Sequence, residues 1–469
     1  MSPPRSAVAT PARLALAACL ACALAAPGPA SASGFAAAEF GGEHGNVVTT
    51  DPTALYFNPA GIALGEGTNL YVSGVLALRR GSWTHAQAAS ESADPPGAEG
   101  ADTGQARFST LLGAPALAAT TWIGRVALGG AFYVPFGGSV HWDQNQRFVN
   151  DPAFPLAADG VQRWHVIDGS TSSLYFTLGA AVRLGPLALG LTGNLIRSSV
   201  STRQAKSFNS QQVVDPLNEG RIGVDADGTQ ASFGIGAMVE AVRDRLWLGA
   251  SYQAQPGLGP IHLDGKFSAT FGADAAPPMA ITYTYALPDI VRAGLRARPR
   301  TGWRHALELR LYGDLTRWSR LQTQCVSLQG QPCAVFPDGT DATPGGTTIQ
   351  NLRRHWNDTY GANLGASFWL TDAVELFAGV GFATAAAPDA TLDPLMMDAD
   401  SFRFALGGRF AVPGGFHVTA GLTDVQYASR DNTGRSTLSD PELPTRRPDG
   451  GGQYTLWLGL LHISLEKRL

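Results

Sequence analysis

From residue 68 onward the chain repeats one pattern: a segment of alternating apolar and polar residues, a break, then another such segment. In 360–368, Tyr360, Ala362, Leu364, Ala366 and Phe368 share one parity, and Gly361, Asn363, Gly365 and Ser367 share the other. Phe402, Phe404, Leu406, Phe410 and Val412 stand in the same way against Ser401, Arg403, Gly407 and Arg409. The same holds for Leu174, Phe176, Leu178, Ala180 and Val182, and for Phe233, Ile235, Ala237 and Val239. A period of two sends successive side chains to opposite faces, so each segment predicts a strand with one apolar face. The segments fall at 68–80, 105–121, 125–136, 169–184, 187–201, 228–243, 246–255, 285–298, 303–318, 355–370, 373–383, 401–412, 416–429 and 453–468. The strand at 285–298 is the least sharply bounded, and 261–271 reads as part of a hairpin within the long loop before it.

A soluble β-sandwich would alternate too, but three features point to a closed antiparallel barrel in a membrane. The polar face is rich in Gly, Ser and Asn with scattered Arg and Glu, which suits a crowded, wet lumen. Short breaks, as at 122–125, 184–186, 243–245, 299–303, 371–373 and 412–415, alternate with long ones, as at 81–104, 137–168, 202–227, 256–284, 319–352, 384–400 and 430–452. Short periplasmic turns alternating with long external loops mark outer-membrane barrels of about fourteen strands and similar sizes. Aromatic residues sit at strand ends: Trp122, Trp303 and Trp369 by short turns, Trp318, Trp356 and Tyr454 by long loops, where interfacial girdles lie. Trp369 falls on the lumen parity, so the girdle speaks for depth more than for facing. Closure satisfies every strand edge, which hydrocarbon demands.

Composition agrees. Charged residues make up 15% of the chain, Gly numbers 56 and mean hydropathy is near zero, at −0.01. The only long apolar run lies at the extreme N-terminus, so helical membrane spans are not expected. A net charge of −4 without a basic, aromatic-laced stripe gives no reason to expect nucleic-acid binding. Residues 1–32 read as a signal peptide: Arg5 and Arg13, an apolar run from Leu14 to Ala26, and Ala30-Ser31-Ala32 for cleavage. A lipoprotein box at Leu16-Ala17-Ala18-Cys19 competes, but its apolar run after Arg13 is short. Cys19 and Cys22 would leave with the signal. Cys325 and Cys333 remain in a polar loop; in an exported chain they suggest a loop-stapling disulfide, with two free thiols as the alternative. Their spacing matches no zinc pattern, and neither a metal nor a cofactor is expected.

Residues 33–67 do not alternate. A segment ahead of the first strand, on the periplasmic side, can fold into a lumen too wide for side chains alone to fill. Gly34-Phe35, followed by Asp51-Pro52-Thr53-Ala54-Leu55-Tyr56-Phe57-Asn58-Pro59-Ala60-Gly61, resembles the N-terminal hatch of the FadL family of outer-membrane transport proteins, whose members carry an Asn-Pro-Ala motif there. Tyr133-Val134-Pro135-Phe136-Gly137, Leu287-Pro288-Asp289, Trp318 and Trp356-Asn357-Asp358-Thr359 look similar in order and spacing. The resemblance implies a fourteen-stranded barrel over 68–469, a hatch over 33–67 and diffusive uptake of hydrophobic ligands, long-chain fatty acids and aromatic hydrocarbons being known classes. It implies capture on external loops, a pocket near the hatch and sideways exit at a kinked third strand. It also implies a monomer in outer-membrane lipid, inserted by the barrel-assembly machinery. Family members commonly end in an aromatic residue; this chain ends Leu465-Glu466-Lys467-Arg468-Leu469.

Carried onto this chain, Asn58, Pro59 and Ala60 are hatch residues, and Gly129-Gly130 is the candidate kink. A fatty acid needs an apolar slot and a cation for its head. Arg183, Arg292, Arg296, Arg310, Arg403 and Arg409 all fall on the lumen parity and are head-group candidates. They equally suit pairing with Glu240, Glu308, Glu375 or Asp314 to brace the barrel. Phe136, Trp142, Phe148, Phe154 and Trp164 are candidates for the external capture patch, or pack their loop on itself. No nucleophile elbow, phosphate loop or aligned Ser–His pair argues for an enzyme. A general diffusion porin and a purely structural surface barrel share the strand pattern; an open pore has no use for a plug.

Overall fold

The computed structural model describes residues 40–86, 94–207, 219–271, 274–299, 307–336, 342, 346–438 and 449–469. Residues 1–32, expected to be a signal peptide, with Cys19 and Cys22 among them, and Gly34-Phe35 and Trp303 lie outside the described residues. The strands are β1 (Asn69–His85), β2 (Gly104–Ile123), β3 (Val126–His141), β4 (Asp168–Leu184), β5 (Leu187–Ser207), β6 (Glu219–Val242), β7 (Leu246–Gln253), β8 (Ile261–Phe271), β9 (Asp274–Tyr285) and β10 (Ile290–Ala297). They continue as β11 (Leu307–Thr316), β12 (Thr323–Leu328), β13 (Thr348–Arg353), β14 (Thr359–Thr371), β15 (Val374–Ala383), β16 (Ser401–Val412), β17 (Phe416–Tyr427), a short β18 (Arg430–Asp431) and β19 (Gln453–Arg468).

Fourteen of these close a ring of antiparallel neighbours: β1 to β7 in order, then β10, β11, β14, β15, β16, β17 and β19. β19 returns to β1 in unbroken register from Thr84↔Gln453 to Asn69↔Arg468, so the chain's last strand closes the wall despite its terminal leucine. Tight turns join strands at one end. Gly124-Arg125 and Gly185-Pro186 each link a terminal ladder pair, with φ of 65° and 64° at the glycines. Such mirror-type turns match strand twist and need the left-handed region that glycine adopts freely.

The outward parity is apolar and open to its surroundings: Leu178 is 75% exposed and Leu406 65%, and Phe176, Leu191, Phe233, Ile235, Leu311, Leu364, Phe404 and Leu422 are exposed with them. A soluble surface does not carry a continuous band of this kind; hydrocarbon is the solvent it fits.

β6 begins at Glu219, earlier than the alternation predicts, because its outer half finds a second partner. Gly234–Val242 pairs with β7, whereas Gly220–Asp227 pairs with β8. The sheet thus forks. One branch goes on around the barrel, and β8, β9, β12 and β13 extend the other beyond it. The hairpin expected near 261–271 is β8 and β9. Cys325, in β12, forms a disulfide with Cys333 (Cα–Cα 6.2 Å) that staples this outer sheet.

Candidate ligand pathway and hatch

The segment ahead of β1 lies inside the barrel. A short helix, Ala54–Phe57, runs into a 3-10 turn, Pro59–Leu64. Asn58 sits between them in extended conformation, fully buried. Its Nδ2 donates to Val47 O (2.9 Å) and across to Ala237 O of β6 (3.0 Å), while Oδ1 accepts from Ala60 N (3.2 Å). One carboxamide therefore caps the turn, ties the hatch to itself and ties it to the wall. Pro59, at the first position of the turn, costs no hydrogen bond there.

The lumen-facing glycines explain why the polar parity carries so many of them. A Cβ on Gly236 would collide with Asn58 Oδ1, one on Gly179 would come within 2.6 Å of Leu55 Cδ2, and one on Gly249 within 2.6 Å of Val47 O. The hatch lies against bare backbone. Charge then locks its edges. Arg403 Nη2 pairs with Glu43 Oε2 at 3.0 Å, His44 Nε2 meets Glu375 Oε1 at 2.7 Å, and the Arg292 guanidinium stacks 4.5 Å from the Tyr56 ring centroid.

β3 breaks the wall. Its pairing with β2 runs from Ile123↔Val126 to Leu117↔Phe132 and stops; only an isolated bridge, Phe108↔Trp142, rejoins the two strands further out. Between these points, 109–116 of β2 and 133–141 of β3 share no ladder. Pro115 and Pro135 lie just past the last pair and bring no N–H to the edge. Against β4 the register shifts between Tyr133 and Phe136, a bulge of one extra residue. From Tyr133 to Gly138 every residue is buried, so the strand has lost its outward face and turned into the lumen. There Phe136 meets the Trp318 ring edge-on at 6.2 Å, and Tyr133 stacks on hatch Phe40 at 4.9 Å and meets hatch Tyr56 at 5.1 Å.

Two cavities border this inturned segment. One is lined by Phe136, Trp318 and Tyr427 and reaches the apolar lumen patch at Val425, Leu458 and Leu460. The same patch continues through Val75 and Ala77 to Leu112 and Ala114, on the unpaired edge of β2. The other, narrower, lies among Ser139, Val140, Tyr283, Tyr285, Met396 and Met397, and Arg79 lines it. Arg79 is buried on β1, with its guanidinium 4.9 Å from the Phe108 ring centroid. Among the described residues no carboxylate lies within ion-pair distance of it. The 384–400 loop between β15 and β16 presses on this region. Asp398 in it accepts from Ala386 N and Ala387 N (2.6 and 2.8 Å), and burial pushes its carboxyl up to about 6 against the pull of those bonds.

The model of the family described as outer membrane protein transport protein (OMPP1/FadL/TodX) matches residues 13–445. The chain belongs to this family. It is therefore an outer-membrane transport protein for hydrophobic compounds, and not an enzyme. Its fold is that of the crystal structure of a Pseudomonas aeruginosa FadL homologue, with a TM-score of 0.72 at 18% identity over 91% of this chain and 96% of that one. The Pseudomonas putida toluene transporter TodX gives 0.61 at 13% over 94% and 98%. The Ralstonia pickettii toluene transporter TbuX gives 0.58 at 14% over 91% and 95%. No curated protein matched by sequence.

Within this FadL-type frame, several sites expected from sequence are placed differently. Gly129 and Gly130 keep regular register with both β2 and β4; the irregularity lies at Val134-Pro135, where the missing N–H and the extra residue coincide. Gly129 instead makes room for Leu55 of the hatch. The six lumen arginines are all engaged. Arg183 pairs with Glu240 (2.8 Å) at the short-turn end, and Arg310 with Glu308 (3.1 Å). Arg296 lies over the Trp247 ring (4.2 Å), and Arg409 pairs with Glu466. Arg292 and Arg403 hold the hatch. Bracing thus accounts for their placement.

The five loop aromatics do not form an exposed patch, since all are buried and they lie in four separate places. Phe136 is in the lumen, and Trp142 packs edge-on against Phe108 (4.9 Å). Phe148 and Phe154 share a small loop core with Ala98 and Ala157. Trp164 donates from Nε1 to Asp102 (2.8 Å). Loop residues so apolar fold on themselves before they face water. Sequence does not single out Arg79, because it stands in an Arg79-Arg80 pair at the end of the expected 68–80 segment, and what faces it across the lumen comes from segments far away in the chain.

Proposed function

We propose that this transporter carries hydrophobic carboxylates, with long-chain fatty acids the leading class, from the outer cavity at Arg79 past the hatch and sideways into the membrane through the β2–β3 gap. Arg79 carries the reading: a buried guanidinium with no carboxylate in ion-pair range among the described residues, facing an apolar cavity. A cation held out of water costs several kcal/mol unless something neutralises it, and a carboxylate head group would do so. The aromatic and methionine lining gives an acyl tail adaptable contacts. Tyr133 supports coupling between hatch and exit, since it touches Phe40 and Tyr56 and opens the bulge. In this reading residues 1–32 are cleaved on export and the barrel works as a monomer.

A second reading is uptake of neutral aromatic hydrocarbons. The solved relatives titled toluene transporters favour it. Equilibrium binding to Arg79→Ala separates the two. Losing a charge-assisted bond worth about 1.5–3 kcal/mol should weaken fatty-acid binding roughly 10- to 100-fold and leave toluene unaffected. Equal weakening of both ligands would sink the head-group assignment, and unchanged fatty-acid binding would favour the hydrocarbon reading.

A further inference from the structure

On the lipid-facing side of β1 and β2, two arginines point outward near the long-loop end. Arg80 pairs with Ser109 across the ladder, and Arg107 with Ser82, so the two guanidinium groups stand diagonally adjacent on one face. Both are exposed. The Arg80 guanidinium lies 5.7 Å from the Trp457 ring centroid, and Arg107 donates only to the neutral Gln105 Oε1, at 2.9 and 2.6 Å. Among the described residues, no carboxylate is within ion-pair distance of either. The outward arginines of β5 differ: Arg197 is paired with Asp227, and Arg203 with Asp168. Two unneutralised cations side by side repel each other, and a shared anion would relieve that.

Immediately below them the wall is hollow. Leu78 stands opposite Gly459 on β19 and Leu111 on β2. Gly459 presents no side chain outward, and the Trp457 ring lies over it, where a Cβ would come within 2.7 Å. Beside that ring an apolar groove open to the surroundings remains on the outer face, bordered by Leu78, Leu111, Phe404, Leu406, Leu422 and Trp457. Asp424, which borders the groove, has its carboxylate taken up by Trp457 Nε1 (2.6 Å) and the Gln426 amide (3.0 and 2.9 Å), and Asp143, whose backbone N–H donates to Arg107 O (2.8 Å), makes no ion pair with either arginine.

We infer that this face is a binding site for a phosphate-bearing lipid of the outer leaflet, its phosphate between Arg80 and Arg107 and an acyl chain in the groove beside Trp457. Planar guanidinium forks match phosphate oxygens, and a groove this apolar is of no use to a free phosphate ion. Leu111 of this site also stands on the unpaired stretch of β2, but the test below reads lipid adducts rather than transport, so it stands or falls independently of the ligand carried.

Native mass spectrometry of the detergent-purified chain tests it with three probes: dioleoyl phosphatidic acid, dioleoylglycerol and inorganic phosphate. The phosphatidic acid adduct should dominate, with neither of the others forming at equal concentration. Arg80→Ala/Arg107→Ala should reduce it about tenfold or more, as the loss of a charge-assisted contact predicts. Leu422→Trp, which fills the groove from β17, should reduce it too, with both arginines intact. Arg197→Ala/Arg203→Ala should leave it unchanged. Heat-shifted gel mobility confirms that each variant is a folded barrel. An undiminished adduct in the Arg80/Arg107 variant, equal binding of inorganic phosphate, or an equal drop in the Arg197/Arg203 variant would each overturn the assignment.

Discussion

Replacing Asn58 by alanine should unseat the hatch without disturbing the barrel. The substitution removes donors to Val47 O and Ala237 O and the acceptor for Ala60 N, all within buried surroundings. At about 1 kcal/mol per bond, and more where a buried partner is left bare, the hatch loses roughly 2–4 kcal/mol. If the bond to Ala237 alone, about 1.4 kcal/mol, sets how often the hatch leaves the wall, its open population rises about tenfold; the whole sum would give nearer 100-fold or more. Single-channel recording in planar bilayers reads this directly as more frequent open events. A second substitution sharpens the test. Gly236→Ala alone places a methyl into Asn58 Oδ1 and should also open the channel. Combined with Asn58→Ala the colliding oxygen is gone, and the nearest remaining atom of the hatch is Pro59 Cδ at 3.1 Å. The double variant should therefore open less than the two effects combined, with a coupling of about 1 kcal/mol or more. Additive effects, or a silent channel in a well-folded Asn58→Ala barrel, would refute this account of the hatch.

Pro135→Ala restores an N–H beside the β2 edge and weakens the cause of the bulge. Transfer of a fluorescent fatty acid from the protein into liposomes should slow while its binding affinity holds; an unchanged rate would exclude the gap as the exit. Breaking Cys325–Cys333 with a Cys325→Ser/Cys333→Ser variant frees a short loop, a constraint worth about 2–3 kcal/mol. Hydrogen exchange should rise in β12 and β13, with the thermal resistance of the barrel unchanged. Asp398 has its folded-state carboxyl raised to about 6, above the ordinary aspartate value, so its contribution is greatest at low pH. That contribution is lost as pH climbs through about 4 to 6 and stays lost above. Exchange protection of 384–400, corrected for intrinsic rates, should therefore fall across that window, and Asp398→Asn should flatten the fall.

The alternation of residues was enough to place the barrel. It named which parity meets hydrocarbon, as Leu364 and Phe404 do, and the unequal breaks told one end from the other. It sufficed because each strand sees two solvents, so local pattern and global position say the same thing. The Asn58-Pro59-Ala60 motif marked the hatch because a cap and a turn are local chemistry. Partnership across the lumen was not legible. Arg310 and Arg403 look alike in sequence, yet Glu308 braces one and hatch Glu43 the other, while Arg79 meets no acid among the described residues. The kink moved from Gly129-Gly130 to Val134-Pro135 because a strand breaks where its neighbours lack donors and register, and the neighbour's Pro115 belongs to another segment. The fork of β6 depended likewise on which hairpin came to lie beside it. Sequence fixes what a residue tends to face; only the closed ring decides what stands opposite, because that distance is set by strands far apart along the chain.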